Sequence, residues 1–278
     1  MRNRIDGGII MKSYRISDHT GAGAVILPEK GATVISYNVD NREYFYADQE
    51  NLCSSERPRC GIPFLFPVFG RTPEGSPYPM EIHGFGHTSA WRVISHDTSE
   101  LKLELCSNED TRKVYPFRFR VELTFAIDDG KLFIRQKYEN HGAETMPYAF
   151  GFHPYFAVED VEKTVISFRA QLEMDMHTGK PSPCTKTSTS LTFPQNAPET
   201  GAFFMQTSNC AVIDAGFGRK IKMNFDHNFN RLVLWAVRGK NFVCVEPINS
   251  SPNGLTTGDC LHLAPDEYHE AEIFFEII

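Results

Sequence analysis

Residues 117–138 read FRFRVELTFAIDDGKLFIRQKY, and this stretch indicates the kind of fold that the chain adopts. Apolar and polar residues alternate along 117–127, as they do in a strand with one buried face. Asp129 and Gly130 match a two-residue hairpin turn, and residues 131–138 return as the partner strand. The stretch therefore predicts an antiparallel β-hairpin.

Similar short apolar bursts, separated by turn residues, recur along the rest of the chain. They occupy residues 23–27, 33–37, 101–105, 211–213, 231–237 and 241–246. No internal repeat or linker interrupts them, and well over a dozen short strands favour one large antiparallel β-sandwich with few short helices. We predict this all-β domain over residues 11–278. Because Met11 directly precedes the first patterned segment, residues 1–10 are predicted to be an N-terminal extension.

Composition excludes several classes of function. The net charge of −7, the pI near 5.8 and the lack of a basic stripe argue against a nucleic-acid partner. No run approaches the roughly 20 apolar residues of a membrane helix, and no signal peptide is recognisable. The seven cysteines are odd in number and scattered, without a Cys-x-x-Cys pair. These features are typical of a reduced chain, and we expect a cytoplasmic protein that does not bind membranes.

Two residues are candidates for acid–base chemistry. His153 lies in GFHPYF at 151–156, where Pro154 cannot donate a ladder hydrogen bond. A histidine in this setting is either a packed core residue or a ring tuned for proton transfer. Glu246 ends an apolar strand directly before Pro247. Such a carboxylate is either paired with an arginine or available as a base.

A second group of candidates surrounds RCGIPFLFPVFGR at residues 59–71. Its prolines predict a buried irregular segment that shapes a site, and Arg59 and Arg71 flank it as snorkelling or ligand-binding residues. His83 and His87 follow in HGFGH, where the glycines argue against a helix and so against a zinc-binding face. Five other histidines lie in polar stretches and are expected at the surface: residues 96, 141, 177, 262 and 269.

Four of these stretches, in order, resemble the aldose 1-epimerase (galactose mutarotase-like) family. The segment 59–71 is similar to that family's Arg-Gly-Gly-Ile-Pro…Phe-Pro pattern, and residues 83–85 are similar to its His-Gly-Phe-Ala-Arg element. Residues 151–156 resemble its His-x-Tyr-Phe motif. Residues 243–247 and 263–267 resemble its closing Glu-Pro and Leu-x-Pro-Gly-Glu pair. The resemblance runs from about residue 25 to the C-terminus.

The resemblance implies a galactose mutarotase-like supersandwich that binds a sugar in a cleft on one sheet. Members are isomerases that interconvert the α- and β-anomers of aldohexoses without a metal or organic cofactor. Carried over to this chain, Glu246 becomes the general base and His153 the general acid. The substrate-binding residues become His83 near the ring oxygen, Arg59 or Arg71 on the hydroxyls, and Asp175 as the best match to a sugar-binding aspartate.

One departure from the family pattern bears on the substrate. His87 stands where His-Gly-Phe-Ala-Arg places an arginine, and a neutral imidazole is a poorer phosphate ligand than a guanidinium. We therefore expect an unphosphorylated aldose. Arg59 keeps a hexose-6-phosphate 1-epimerase open as an alternative.

Another alternative is a protein that binds or senses sugar without turning it over. In that case the sugar would stack on the aromatic residues Phe64, Phe66, Phe85, Trp91, Tyr155 and Phe156. The expected partner in every case is a small sugar, and the chain is expected to be a monomer or a homodimer.

Overall fold

The computed structural model describes residues 2–4, 10–54, 57–175, 179–216 and 218–278. Its strands are β1 Arg2–Arg4, β2 Ile10–Lys12, β3 Tyr14–Ser17, β4 Gly23–Leu27, β5 Thr33–Val39, β6 Arg42–Glu43, β7 Phe64–Leu65, β8 Arg92–His96, β9 Glu100–Cys106, β10 Phe119–Asp128, β11 Lys131–Asn140, β12 Met146–Tyr148, β13 Gly151–Phe152, β14 Tyr155–Ala157, β15 Val165–Ser167, β16 Ala170–Met174, β17 Pro181–Pro183, β18 Ser188–Thr189, β19 Glu199–Thr207, β20 Cys210–Asp214, β21 Lys220–Phe225, β22 Arg231–Val237, β23 Phe242–Ile248, β24 Leu261–Leu263 and β25 Tyr268–Ile277. The α-helices are α1 Gln49–Ser54, α2 Glu109–Val114 and α3 Gly254–Thr257, and one 3₁₀ turn covers Pro28–Lys30.

The predicted hairpin is confirmed. Strands β10 and β11 pair antiparallel over ten residues each, and the pair Asp128–Lys131 closes the ladder. Asp129 and Gly130 have φ angles of 48° and 75°. A two-residue turn of type I′ needs left-handed backbone at both positions, which glycine and aspartate tolerate better than most residues.

Two large sheets contain most of the strands. One has nine strands in the order β18-β15-β20-β21-β25-β11-β10-β9-β8, and the other has the order β17-β16-β19-β22-β23-β13-β7, with β14 also paired to β23. Neighbouring strands run antiparallel in both sheets. The predicted all-β architecture of antiparallel sheets with short helices is confirmed.

The main core lies between these two sheets. Leu123 and Phe125 from β10 belong to the same buried cluster as Leu234 from β22 and Val245 from β23. The segment 59–71 adds a layer of aromatic rings, and the ring centroid of Phe66 lies 5.2 Å from that of Phe119. Residues 60–69 of this segment are buried and largely irregular, as predicted, although β7 pairs with β13 at the edge of the second sheet.

The second sheet presents a different set of side chains on its other face. Because side chains alternate along a strand, Val243 and Val245 of β23 enter the main core, whereas Cys244 and Glu246 face away from it. The same alternation places Val233 and Trp235 of β22 on this outer face. This face forms the floor of the cavity described below.

The histidines predicted at the surface have mixed outcomes. His96, His141 and His262 are exposed, and His177 lies outside the described residues. The prediction for His269 is wrong. Its ring is half buried, with one nitrogen 2.7 Å from the Tyr148 hydroxyl and the other 2.9 Å from Oδ1 of Asn228.

In the described part of the chain, no helix has the length and apolar character needed to cross a membrane.

Candidate active site

A cavity of about 380 Å³ opens on the outer face of the second sheet. Of the residues selected from sequence, Arg59, His83, His153 and Glu246 line it together. Arg71 and Asp175 are exposed, and among the described residues they are not part of its lining. The fold therefore brings four of the six candidates into one place.

Glu246 lies in the floor of this cavity. It is 2% exposed, because every residue of β23 is buried between neighbouring strands and the core. Burial disfavours the charged carboxylate and raises the pKa of Glu246 well above its ordinary value of 4.5. A carboxyl group with a raised pKa can accept and return a proton near neutral pH.

His153 makes a polar contact with this carboxyl group. It lies between β13 and β14, where its backbone N–H donates to the carbonyl of Pro63 over 3.0 Å. Its ring stacks on Tyr155 with a centroid distance of 4.8 Å and an angle of 13°. The Nε2 atom lies 3.3 Å from Oε1 of Glu246. Of the two interpretations of His153, the structure supports a residue of the cavity wall rather than of the core.

The pKa shifts of the two groups run in opposite directions and favour a pair that shares one proton. Burial lowers the pKa of His153 to about 3, while burial raises the pKa of Glu246. Each shift favours the neutral form of its own group. Because the atoms are in contact, titration belongs to the pair rather than to either residue alone.

His83 extends this arrangement as a hydrogen-bond donor. Its Nδ1 accepts a hydrogen bond from the backbone N–H of Gly70 over 3.2 Å, so a neutral ring carries its proton on Nε2. Burial, followed by the proximity of His153, lowers the pKa of His83 well below 6.5 and keeps the ring neutral. Its ring centroid is 5.6 Å from that of His153. Among the described side chains, no group of three or more histidine, cysteine, aspartate or glutamate residues is arranged to hold a metal ion.

Positive charge enters the cavity wall from one segment. Arg57 and Arg59 both line the cavity on either side of Pro58. Burial, followed by the positive charge of Arg59, lowers the pKa of Arg57. Sequence reasoning missed Arg57, and only its position two residues before Arg59 could have indicated it.

The aromatic residues of the cavity differ from those expected for sugar stacking. Of the six candidates, Tyr155 lines the cavity, whereas the other five pack in or against the main core. The cavity instead takes its further aromatic surface from Phe69, Phe203 and Trp235. The indole N–H of Trp235 donates to Oε2 of Glu199 over 3.1 Å, and Glu199 also lines the cavity.

A model of the aldose 1-epimerase family matches residues 12–275. The chain belongs to this family. The match covers both large sheets and every residue of the cavity wall named above. Family membership supports a sugar as the ligand of the cavity and an isomerase-type activity at the level of the family.

Solved structures share this fold. The Slr1438 protein of Synechocystis sp. PCC 6803 is similar with a TM-score of 0.88 and 28% identity, covering 100% of this chain and 99% of its own. A galactose mutarotase-like protein of Lactobacillus casei ATCC 334 has the same fold with a TM-score of 0.81, 20% identity, and coverage of 96% and 100%.

A curated relative matches over a shorter region. The uncharacterized protein YphB of Escherichia coli (strain K12) is 35% identical over 75 residues, which are 27% of this chain and 24% of YphB.

The position of Trp235 gives a direct assay for sugar binding. The chain has two tryptophans, and Trp91 is buried with its indole N–H on the carbonyl of Gly86. When an aldose that binds to the protein is added stepwise, we expect the tryptophan fluorescence to change and then to saturate, because the sugar displaces water from the Trp235 ring. The change should disappear in Trp235→Phe and persist in Trp91→Phe. A signal that follows Trp91 would place the sugar elsewhere.

Proposed function

We propose that this chain is an aldose 1-epimerase that interconverts the α- and β-anomers of an aldohexose by opening and reclosing the sugar ring. The observation that carries the proposal is the 3.3 Å contact between Nε2 of His153 and Oε1 of Glu246 in the wall of a cavity of ligand size. Two buried groups that share one proton are suited to a reaction that moves one proton between two oxygens.

The two reacting oxygens of an aldopyranose are both bonded to C1. In the proposed ring opening, the Glu246 carboxylate takes the proton of the anomeric hydroxyl while His153 gives its proton to the ring oxygen. The C1–O5 bond breaks and the C1–O1 bond becomes the double bond of the aldehyde. The adjacent acid and base fit the adjacent oxygens, because both transfers occur around one carbon.

Reclosure uses the same groups in the opposite roles. After rotation about the C1–C2 bond, Glu246 returns its proton to the aldehyde oxygen and His153 removes the proton from the C5 hydroxyl as that oxygen attacks C1. The pair ends with the same single proton, placed as it was before opening. The form with the proton on His153 differs from the form with it on Glu246 by transfer across the 3.3 Å contact, and both carry the same total charge.

The other lining residues would hold the sugar. We propose that the Nε2–H of His83 donates to the sugar near the ring oxygen and that Arg59 binds hydroxyls. Glu199 supplies a second carboxylate of the cavity wall, in the role for which the family resemblance indicates Asp175. Trp235, oriented by Glu199, offers an apolar face to the C–H groups of the ring.

Glu246→Gln tests the proposed base. The amide has nearly the shape of the carboxyl group but cannot accept the proton, so we expect kcat to fall about 10²–10⁴-fold while sugar binding persists. Polarimetry or anomer-resolved NMR exchange measures the rate with fresh α-D-glucose and α-D-galactose. Glu104→Gln is the matched control, because Glu104 is also buried but lies on the nine-stranded sheet in an ion pair with Arg120. Its folded fraction should epimerise at the parent rate, and an equal loss in both variants would contradict the proposal.

The protonation of the pair predicts an unusual pH profile. Because burial lowers the pKa of His153 to about 3, lowering the pH from 7 to 5 does not add a second proton to the pair. We therefore expect kcat/KM to stay level over this interval and to fall at higher pH, as the pair loses its one proton. An inflection near pH 6.5, with circular dichroism showing an intact fold, would mean that His153 titrates as an exposed histidine does.

A hexose-6-phosphate 1-epimerase is a second candidate, favoured by the two guanidinium groups of Arg57 and Arg59 in the cavity wall. If it is correct, glucose 6-phosphate is turned over in preference to glucose, and Arg59→Ala lowers kcat/KM for the phosphate far more than for the free sugar. Arg219→Ala is the control, because this exposed arginine pairs with Asp40 away from the cavity. Equal effects on both sugars would leave the free aldose as the substrate.

The non-catalytic alternative makes a different prediction in the same assays. A sugar-binding protein would show saturable fluorescence or heat on titration without faster mutarotation of any sugar that it binds. The contact of an acid with a base supports catalysis over this alternative, because binding alone needs no shared proton.

A further inference from the structure

His87 is a buried polar residue of the cavity wall that the proposed chemistry does not use. It is 2% exposed, and among the described residues neither of its ring nitrogens has a hydrogen-bond partner. A buried polar group without a partner is costly, and most such groups in proteins are satisfied. The imidazole is therefore a group that a ligand in the cavity can satisfy.

The backbone around His87 fixes where the ring lies. At Gly31 an added Cβ would lie 2.1 Å from the carbonyl oxygen of His87, so the two segments are packed backbone to backbone. The N–H of Gly31 donates to the carbonyl of Ser89, and the indole of Trp91 donates to the carbonyl of Gly86. The segment that carries His87 is thus held on both sides of the residue.

The ring is neutral, and this decides the kind of ligand group that it fits. Burial lowers the pKa of His87 to about 4, and the nearby Arg57 disfavours the imidazolium further. A neutral imidazole has one N–H donor and one nitrogen acceptor. A hydroxyl group can bond to either nitrogen, since it both donates and accepts, whereas a phosphate or carboxylate oxygen can only accept from the N–H.

The order of rings in the cavity indicates which hydroxyl this would be. Glu246 contacts His153, the ring of His153 lies 5.6 Å from that of His83, and the ring of His83 lies 6.2 Å from that of His87. The series starts at the acid–base pair, and His87 is its last member. A sugar with C1 at the pair would therefore meet His87 with a hydroxyl other than the one on C1.

We propose that His87 is a specificity-determining residue that hydrogen-bonds a non-reacting hydroxyl of the sugar, so that its neutral ring selects a free hydroxyl over a charged group at that position. The inference rests on the proposed function for the placement of C1 at Glu246 and His153. It differs from that function in being a statement about binding, which can be measured without turnover.

Stability of the free protein separates a ligand-binding role from a structural one. If both nitrogens are unsatisfied before the sugar binds, His87→Leu removes two unpaired polar atoms and should leave the melting temperature equal or higher. A histidine needed for folding would lower it on the same change. His262→Leu, at an exposed position, is the matched control for both stability and binding.

The test combines enzyme variants with deoxy sugars. Dissociation constants, read from calorimetry or Trp235 fluorescence, are measured for the parent aldose and for its 2-, 3-, 4- and 6-deoxy analogues. In the wild-type protein the analogue that lacks the hydroxyl bound by His87 should bind about 10-fold more weakly than the parent. In His87→Leu the affinity for the parent sugar should fall by the same factor, so that the parent sugar and this analogue bind equally well. His87→Gln, which keeps a donor and an acceptor, should retain most of the affinity for the parent sugar.

The outcomes distinguish this inference from the proposed function. The role of His87 would be overturned if removing each sugar hydroxyl weakened binding equally in the wild type and in His87→Leu, or if the wild type bound no sugar. Sugar binding with the expected loss of one deoxy penalty, but without mutarotation, would overturn the proposed function and leave the role of His87 standing. If His87→Leu does not fold, the ring ¹⁵N NMR signals of His87, assigned by comparison with His87→Gln, provide the test. They should shift when the parent sugar is added and should not shift with the deoxy analogue that lacks the hydroxyl bound by His87. Signals that do not move with the parent sugar would overturn the role of His87.

Discussion

The burial of Glu246 within β23 is the constraint on which the rest of the site depends. The strand is covered along its whole length, with Val243 and Val245 in the main core and the alternate side chains on the outer face. Because side chains alternate strictly, the packing of the valines fixes the carboxyl group on the cavity side. Removal from water raises the pKa of Glu246, and the same burial makes the adjacent His153 neutral. The fold thus sets the proton affinity of the pair through position alone.

A polar network behind the cavity ties the two chain segments that carry this pair. The side-chain oxygen of Asn249 accepts a hydrogen bond from the N–H of Phe150 over 2.8 Å, which joins the end of β23 to the residue before β13. Arg231, also buried, donates to the carbonyl of Asn249 and to Oδ1 of Asp259 over 2.6 Å each.

Gly151 allows the backbones of β13 and β23 to approach closely, since an added Cβ would lie 2.6 Å from Cγ2 of Ile248. The close approach of β13 to β23 therefore needs glycine at this position, and it is this approach that brings His153 to Glu246.

The sequence allowed the fold to be predicted further than the site. Alternation and the Asp129-Gly130 turn are local signals, and β10 and β11 follow them residue by residue. His153 and Glu246 could be selected because each interrupts an apolar pattern beside a proline. Whether Phe64 or Phe203 faces the cavity depends on which side of the sheet is covered by the rest of the chain. The local sequence pattern does not predict which side that is. For the same reason the exposed Arg71 and Asp175 were selected by family resemblance, while Arg57 and Glu199 were missed.

The cavity wall combines three neutral imidazoles with two cations, and this limits the substrates that fit. His83, His87 and His153 are all kept neutral by burial, whereas the cations Arg57 and Arg59 belong to one segment. Neutral imidazoles can share hydrogen bonds with hydroxyls without the cost of burying a charge, and they do not compete for the proton of the Glu246–His153 pair. An arginine at position 87 would add a third permanent cation to the cavity wall and favour the Glu246 carboxylate. The histidine at this position therefore affects two properties together, since it removes a ligand for a charged substituent and preserves the raised pKa on which the proposed base depends.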